Sequence, residues 1–159
     1  MAADTAFDRT DLRLLALLQR DGRTSNVGLA AQVHLSPSAG LRRTQRLEAA
    51  GVVTGYAVQL DPKSLGLGLQ AFVRVQLEKH GAPGIEHFVS AVQDWDEVVA
   101  CHALTGDMDY LLQVYVQDLE HFSRFLLDRL LNAAGVADVN SSFVLRTVKA
   151  STGLPLPKG

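Results

Sequence analysis

Residues 36–51 read SPSAGLRRTQRLEAAG, and this stretch decides the fold. Ser36 followed by Pro37 is the N-cap, N1 order favoured at a helix start, and Gly51 is the residue favoured just past a helix end. Leu41, Thr44, Leu47 and Ala50 recur at helical spacing and form the expected inner side. Ser38, Ala39, Arg42, Arg43 and Arg46 then fall on or near the opposite face. Immediately upstream, His34-Leu35 is a two-residue break. Before it comes a short helix with Thr24 or Ser25 as cap and Val27, Leu29, Ala30 and Val33 on its buried side. Asp8 caps an earlier helix whose stripe of Leu12, Leu14, Leu15 and Leu18 stops at Asp21-Gly22. Two helices joined by a tight turn behind a supporting helix describe a helix-turn-helix, whose second helix normally enters the major groove of DNA.

The outer face of that second helix is basic, and small near its start. Arginine makes bidentate contacts with guanine or clamps a phosphate, while Ser36 and the first helical amides suit a phosphate oxygen. The same residues fit a three-helix packing unit whose arginines are only a solvated face. The Ser-Pro start and the extended segment directly after the helix favour the DNA reading. Arg42 and Arg46, four apart, are the pair expected to dominate affinity. Gly40 costs roughly 1 kcal/mol relative to Ala inside a helix. Close helix packing and close approach to DNA both remain open as its reason.

Past Gly51 the period changes. Residues 52–60 are rich in β-branched and aromatic types and read as a connecting strand, a wing or hinge, ended by Asp61-Pro62. Phe72, Val73, Val75 and Leu77 interleave with Arg74, Gln76 and Glu78 as a strand. A helix over 85–92, a strand over 98–104, a tight turn over 106–109, a strand over 110–116, a helix over 119–131 and a strand over 139–148 follow. The expected fold is therefore α+β: a three-helix helix-turn-helix domain over residues 1–60, then a βαββαβ ferredoxin-like domain over residues 61–159.

Bulk properties agree with this division. The 159 residues carry a net charge of −2, yet residues 1–55 hold seven Arg against five acids and residues 56–159 hold eight Lys/Arg against twelve acids. A basic front and an acidic back suit a chain that meets nucleic acid with one end only. Cys101 is the sole cysteine, which excludes an intrachain disulfide and suits a reducing compartment. No long apolar run and no signal-like start are present, so the expected location is the cytoplasm, with no membrane partner.

Several chemical signals fail on geometry. Gly66, Gly68 and Ala71 fit G-x-G-x-x-A, but a strand follows where pyrophosphate needs a helix N-terminus. Cys101 and His102 are adjacent on a strand and point to opposite faces, so they do not form a nucleophile-base pair. The histidines have no metal-binding spacing. No catalytic residue, metal site or cofactor is expected, and an enzyme on this scaffold lacks a convergent acid, base or nucleophile.

Taken in order, Asp8, Asp11 and Leu12; Asp21-Gly22-Arg23; Leu35-Ser36-Pro37-Ser38; Leu41-Arg42-Arg43; Arg46-Leu47-Glu48; Gly51-Val52-Val53; Gly55-Tyr56; Thr105-Gly106-Asp107-Met108-Asp109-Tyr110; and Leu154-Pro155 resemble the Lrp/AsnC, or feast/famine, family. The resemblance spans nearly the whole chain. It implies a prokaryotic transcriptional regulator that binds double-stranded DNA, forms dimers that often associate into tetramers or octamers, and in many members binds an amino acid. It also implies that the turn Gly106, Asp107, Met108, Asp109 and Tyr110 lies near the effector pocket, at an interface between dimers. His34 stands where the family usually has Gly, a position His tolerates if φ is positive.

An amino-acid effector needs acceptors for its ammonium and donors for its carboxylate. Gly106 lets backbone amides come close, Asp107 or Asp109 suits the ammonium, and Tyr110 offers an apolar wall with a polar tip. The alternative is that Gly-Asp only closes a hairpin, with the Asp side chains on local amides. An architectural DNA-binding protein with no effector is the remaining competing class.

Overall fold

Each of the first three helices starts on a side chain that satisfies an otherwise unpaired amide. The computed structural model describes residues 7–78 and 82–157. In α1 (Arg9–Arg20), Asp8 accepts from the Asp11 amide and the Asp11 side chain accepts from the Asp8 amide, a reciprocal capping box. Ser25 caps α2 (Asn26–Gln32) and Ser36 caps α3 (Pro37–Ala49). The turn between α2 and α3 is a left-handed closure: His34 has φ of 58°, its amide donates to Ala31, and the Leu35 amide donates to Ala30 at 2.9 Å. Those two bonds are the Schellman pattern, which needs one residue at positive φ, so His34 does the work of the expected Gly. Leu14, Leu15, Leu29, Val33 and Leu47 form the core of this unit, with Phe7, Leu35, Val53 and Leu156 packed against it.

The inner side of α3 differs from the expected one. Gly40, Thr44 and Leu47 are buried, whereas Leu41 and Ala50 are exposed. The helix is turned so that Gly40 meets α2, where a Cβ would lie 2.6 Å from the Ala30 Cβ. Close packing is thus the reason for Gly40. Val27 is also outside the core, at 62% exposure, because α2 is short and buries only Leu29 and Ala30.

Residues 52–60 form no strand. Among the described residues they pair with no other segment, and β-propensity without a partner strand leaves an extended chain. Tyr56 anchors it by donating from its hydroxyl to Glu48 at 2.7 Å.

The second unit is βαββαβ. Its elements are β1 (Leu69–Leu77), α4 (Ala82–Gln93), β2 (Val98–Ala103), β3 (Tyr110–Val116), α5 (Leu119–Arg124) continued by a π-helical turn (Phe125–Leu130), and β4 (Val136–Phe143). All strand pairs are antiparallel in the order β2-β3-β1-β4, with Val73 opposite both Leu112 and Ser141. Ala71, Val73, Val75 and Leu77 point to the helices and bury against Phe88, Trp95, Leu112, Val114, Phe122 and Phe125. Phe72, read with the apolar set, lies with Arg74 on the other, exposed face; the two-residue period puts it there.

Two other boundaries moved. The expected α-helix over 119–131 widens after Arg124 because Phe125 and Leu130 are both buried, and five-residue spacing reaches one side only in a π turn. The last strand ends at Phe143 rather than 148, since β1 begins at Leu69 and the Val144 amide bonding to Gln70 uses the last partner available.

The chain divides between Gln59 and Leu60, close to the expected 60/61. Residues 149–157, however, belong to the first unit: Gln19 pairs its side-chain amide with the backbone of Leu154 in both directions, and Leu156 packs against the helical core.

Gly40→Ala tests the α2–α3 contact. Ala gains roughly 1 kcal/mol of helix propensity, but overpacking typically costs about 1 to 3 kcal/mol, so we expect a net loss of stability. Urea unfolding that shows the variant to be more stable would contradict the close approach.

Candidate functional site

The expected DNA-facing residues separate into two groups. Asp11 on α1 is 1% exposed and accepts from Arg43 Nη1 at 2.9 Å and from Arg46 Nη2. Arg43 Nη1 also donates to Asp8 Oδ2 at 2.6 Å. Two carboxylates of α1 and its cap thus engage two arginines of α3. Arg42 is exposed and makes no ion pair or side-chain hydrogen bond with described residues. Together with Leu35 and Ala39 the three arginines line one shallow surface hollow. Ser36 is occupied by its cap, accepting from the Ala39 amide at 3.3 Å, and its hydroxyl lies 3.3 Å from that of Ser38.

This network shifts the charges that make it. The Asp11 amide, and then the Arg43 guanidinium, hold the Asp8 carboxyl below its ordinary range. Asp8, and then Asp11, push Arg43 further up. The partners of Arg43 and Arg46 were missed because they lie more than thirty positions away in sequence. Asp8 and Asp11 carried only a local signal, the Asp-x-x-Asp spacing of a capping box.

In the second unit, the turn after β2 lines an open cleft of about 700 Å³. Gly106, Asp107, Asp109 and Tyr110 belong to its wall; Met108 is half-buried and outside the lining. Gly106 has φ of 116°, a conformation that favours glycine. Asp109 is committed to the fold: its Oδ2 accepts from the Leu77 amide at 2.7 Å and its own amide donates to Val75 at 2.9 Å. Asp107 is exposed and has no such bond among described residues. Sequence reasoning did not place Glu78, Ile85 and Leu104 here, yet all three line the cleft. Leu77, Ile85, Leu104 and Tyr110 give it apolar walls, and Glu78, Asp107 and Asp109 give it acceptors without a cationic side chain among the lining residues.

Cys101 is half-buried against the sheet core, and burial pushes its thiol up, away from a reactive thiolate. No described helix is long and apolar enough to cross a membrane.

A helix-turn-helix with an arginine-rich second helix, followed by a ferredoxin-like unit with an acceptor-lined cleft, defines a ligand-responsive DNA-binding regulator. Residues 7–48 match the family model of the AsnC-type helix-turn-helix domain, and residues 70–154 match that of the Lrp/AsnC ligand binding domain. The leucine-responsive regulatory protein of Klebsiella pneumoniae is 43% identical over 149 residues, covering 93% of this chain and 90% of that protein. A transcriptional regulator of Neisseria meningitidis, solved in complex with L-Met, superposes with a TM-score of 0.91 at 50% identity, over 94% of this chain and 96% of that one. An AsnC family transcriptional regulator of Agrobacterium tumefaciens superposes with a TM-score of 0.87 at 32% identity, over 94% and 97%. The chain belongs to the Lrp/AsnC family of transcriptional regulators. It is a transcriptional regulator built from a helix-turn-helix domain and a ligand-binding domain.

The lowered Asp8 carboxyl gives a signed pH dependence. Its contribution to stability is present above the unfolded-state range near pH 4 and is lost as pH falls through the lower folded value. Acid unfolding should therefore show wild type and Asp8→Asn converging below that range. Parallel curves down to the lowest pH would contradict the lowered carboxyl, which the Asp11 amide and then Arg43 produce.

Proposed function

We propose that this chain is a cytoplasmic regulator that reads DNA with α3 and answers to L-methionine. The observation that carries the effector is the cleft at Gly106–Tyr110: carboxylates that suit an ammonium beside aliphatic and aromatic walls that suit an unbranched apolar side chain. The Neisseria regulator, half identical to this chain, was solved with that amino acid, which supports the same ligand here. L-Leucine is the second reading, favoured by the leucine-responsive relatives. In this reading Asp107 accepts from the ammonium, amides around Gly106 approach the carboxylate, Tyr110 walls the side chain, Asp109 holds the turn to β1, and Met108 braces it from beneath.

The division of labour follows the two units. Residues 1–60 carry DNA binding, and residues 61–159 carry the effector and self-association as dimers that build tetramers or octamers, with the last residues returning to the helical unit. On α3, Ser36 and Ser38 sit at the start, where the Ser38 amide is left for a phosphate oxygen once Ala39 and Gly40 have bonded to Ser36, and Ala39 leaves room for a groove wall. Arg42 is the principal base-reading candidate because nothing among the described residues of its own unit holds it. Arg43 and Arg46 reach the backbone from positions held by Asp8 and Asp11.

Two experiments test this. Arg42→Ala should lose about 1 to 3 kcal/mol of affinity for an operator found by selection from random DNA. Undiminished binding would remove α3 as the reading helix. In thermal-shift titrations L-methionine should stabilise the protein by about 2.7 kcal/mol at a hundredfold excess over its Kd, and by more than L-leucine does at the same concentration. Asp107→Ala should lose this shift with its own stability intact, whereas Asp109→Ala should itself unfold more readily. No shift with any amino acid at millimolar concentration would overturn the effector reading.

A further inference from the structure

We propose that Asp8 is an internal competitor for DNA phosphate, which holds the charge of Arg43 in reserve and sets DNA affinity below what the arginines of α3 would supply. The inference rests on α3 being the reading helix. Its basis is the balance of charge in the network. Asp8 and Asp11 face Arg43 and Arg46, two negative against two positive, so the network meets DNA as a neutral group. Among the described residues, Arg42 is the arginine of that hollow left uncompensated.

The two acids are not equivalent. Asp11 is buried, and parting it from both arginines would strand a desolvated carboxylate, a step costing far more than an exposed pair returns. Asp8 is 51% exposed and Arg43 31%, so their bond is solvent-accessible and its net worth is small. Arg43 Nη1 is held by both acids. If Asp8 lets go, Asp11 keeps the guanidinium oriented, and the position of the Asp8 oxygen is the one a phosphate oxygen would take. The network then carries one positive charge.

The geometry also supplies a clean variant. Asp8 uses Oδ1 to cap the Asp11 amide at 2.8 Å and Oδ2 to hold Arg43 at 2.6 Å. Asn is as good an N-cap as Asp, so Asp8→Asn keeps the first bond and removes the second. Asp8→Ser is a second cap-preserving change should the Asn variant fold poorly.

The test measures affinity for the selected operator between about 50 and 200 mM salt in wild type, Asp8→Asn, Arg43→Gln and the double variant. Asp8→Asn should bind tighter at low salt, with the slope of log K on log salt steeper by about 0.9, one additional phosphate. Its advantage should shrink by roughly 3.5-fold over that fourfold rise in salt. In the Arg43→Gln background both the gain and the steepening should vanish, because the effect runs through that guanidinium. A variant that binds no tighter, or a gain that survives in Arg43→Gln and so reflects net charge alone, overturns the inference. Arg42→Ala separates the two levels: if it binds as wild type, the reading of α3 fails, whereas lost binding there with an unchanged Asp8→Asn overturns this inference alone.

Discussion

A charge buried in a protein interior is tolerated only when it is paired, and Asp11 is such a charge. It lies between α1 and α3 with a guanidinium on each oxygen, and its Oδ2 also accepts from the Asp8 amide at 3.2 Å. That arrangement determines how α3 is presented. On one side the helix is pressed against Ala30 at Gly40, and on the other it is tied through Arg43 and Arg46 to α1. Two constraints on different faces fix its rotation, which leaves Arg42 as the unbraced arginine. A helix that must place side chains in a groove to within an ångström gains from such fixing, because disorder in the reader is lost as entropy on binding.

The cleft at the Gly106–Tyr110 turn follows the opposite logic. It is open, it lies at a turn rather than inside a core, and its acceptors outnumber its donors. Acidic side chains suffice to orient an ammonium, but the carboxylate of a zwitterion must look to backbone amides. Gly106 makes those amides approachable, and the Asp109 bond to Leu77 holds the turn that carries them. The same two Asp residues that look alike in sequence therefore divide the labour, one structural and one free. A ligand acts on DNA binding only through its differential affinity for two arrangements of the protein, for which about 1 to 3 kcal/mol is typical.

Much of this was legible in sequence because it is encoded locally. The caps Asp8 and Ser36, the Pro37 start, the order βαββαβ and the strand over 110–116 each rest on residues within a few positions of one another. What escaped was set by distant partners. The rotation of α3 depends on Ala30 opposite Gly40, and hydrophobic spacing alone favoured Leu41. The segment over 52–60 has the composition of a strand, yet no described residue pairs with it. Arg43 and Arg46 looked like a free basic face because Asp8 and Asp11 are 35 positions away or nearly so. At the Gly106–Tyr110 turn the sequence did not separate Asp107 from Asp109, because only the fold brings the Leu77 amide to Asp109.

The last segment of the chain sharpens the point about distance. Gln19 and Leu154 are 135 residues apart, and the side-chain amide of one pairs with the backbone of the other as a neighbouring strand would. Leu156 completes the apolar core begun by Leu14 and Leu47. The helical unit is therefore not finished when its own helices have been made; it takes its final contacts from residues that follow the whole ferredoxin-like domain. The chain joins the two units at two places, at 59–60 and at 148–149. A small unit has little core to spare: an aliphatic side chain is worth roughly 1.5 to 3 kcal/mol when fully buried, and half-buried Leu156 supplies a part of that. Placing such a contribution after the whole ferredoxin-like unit makes the integrity of the helical unit depend on the path of the chain through the other.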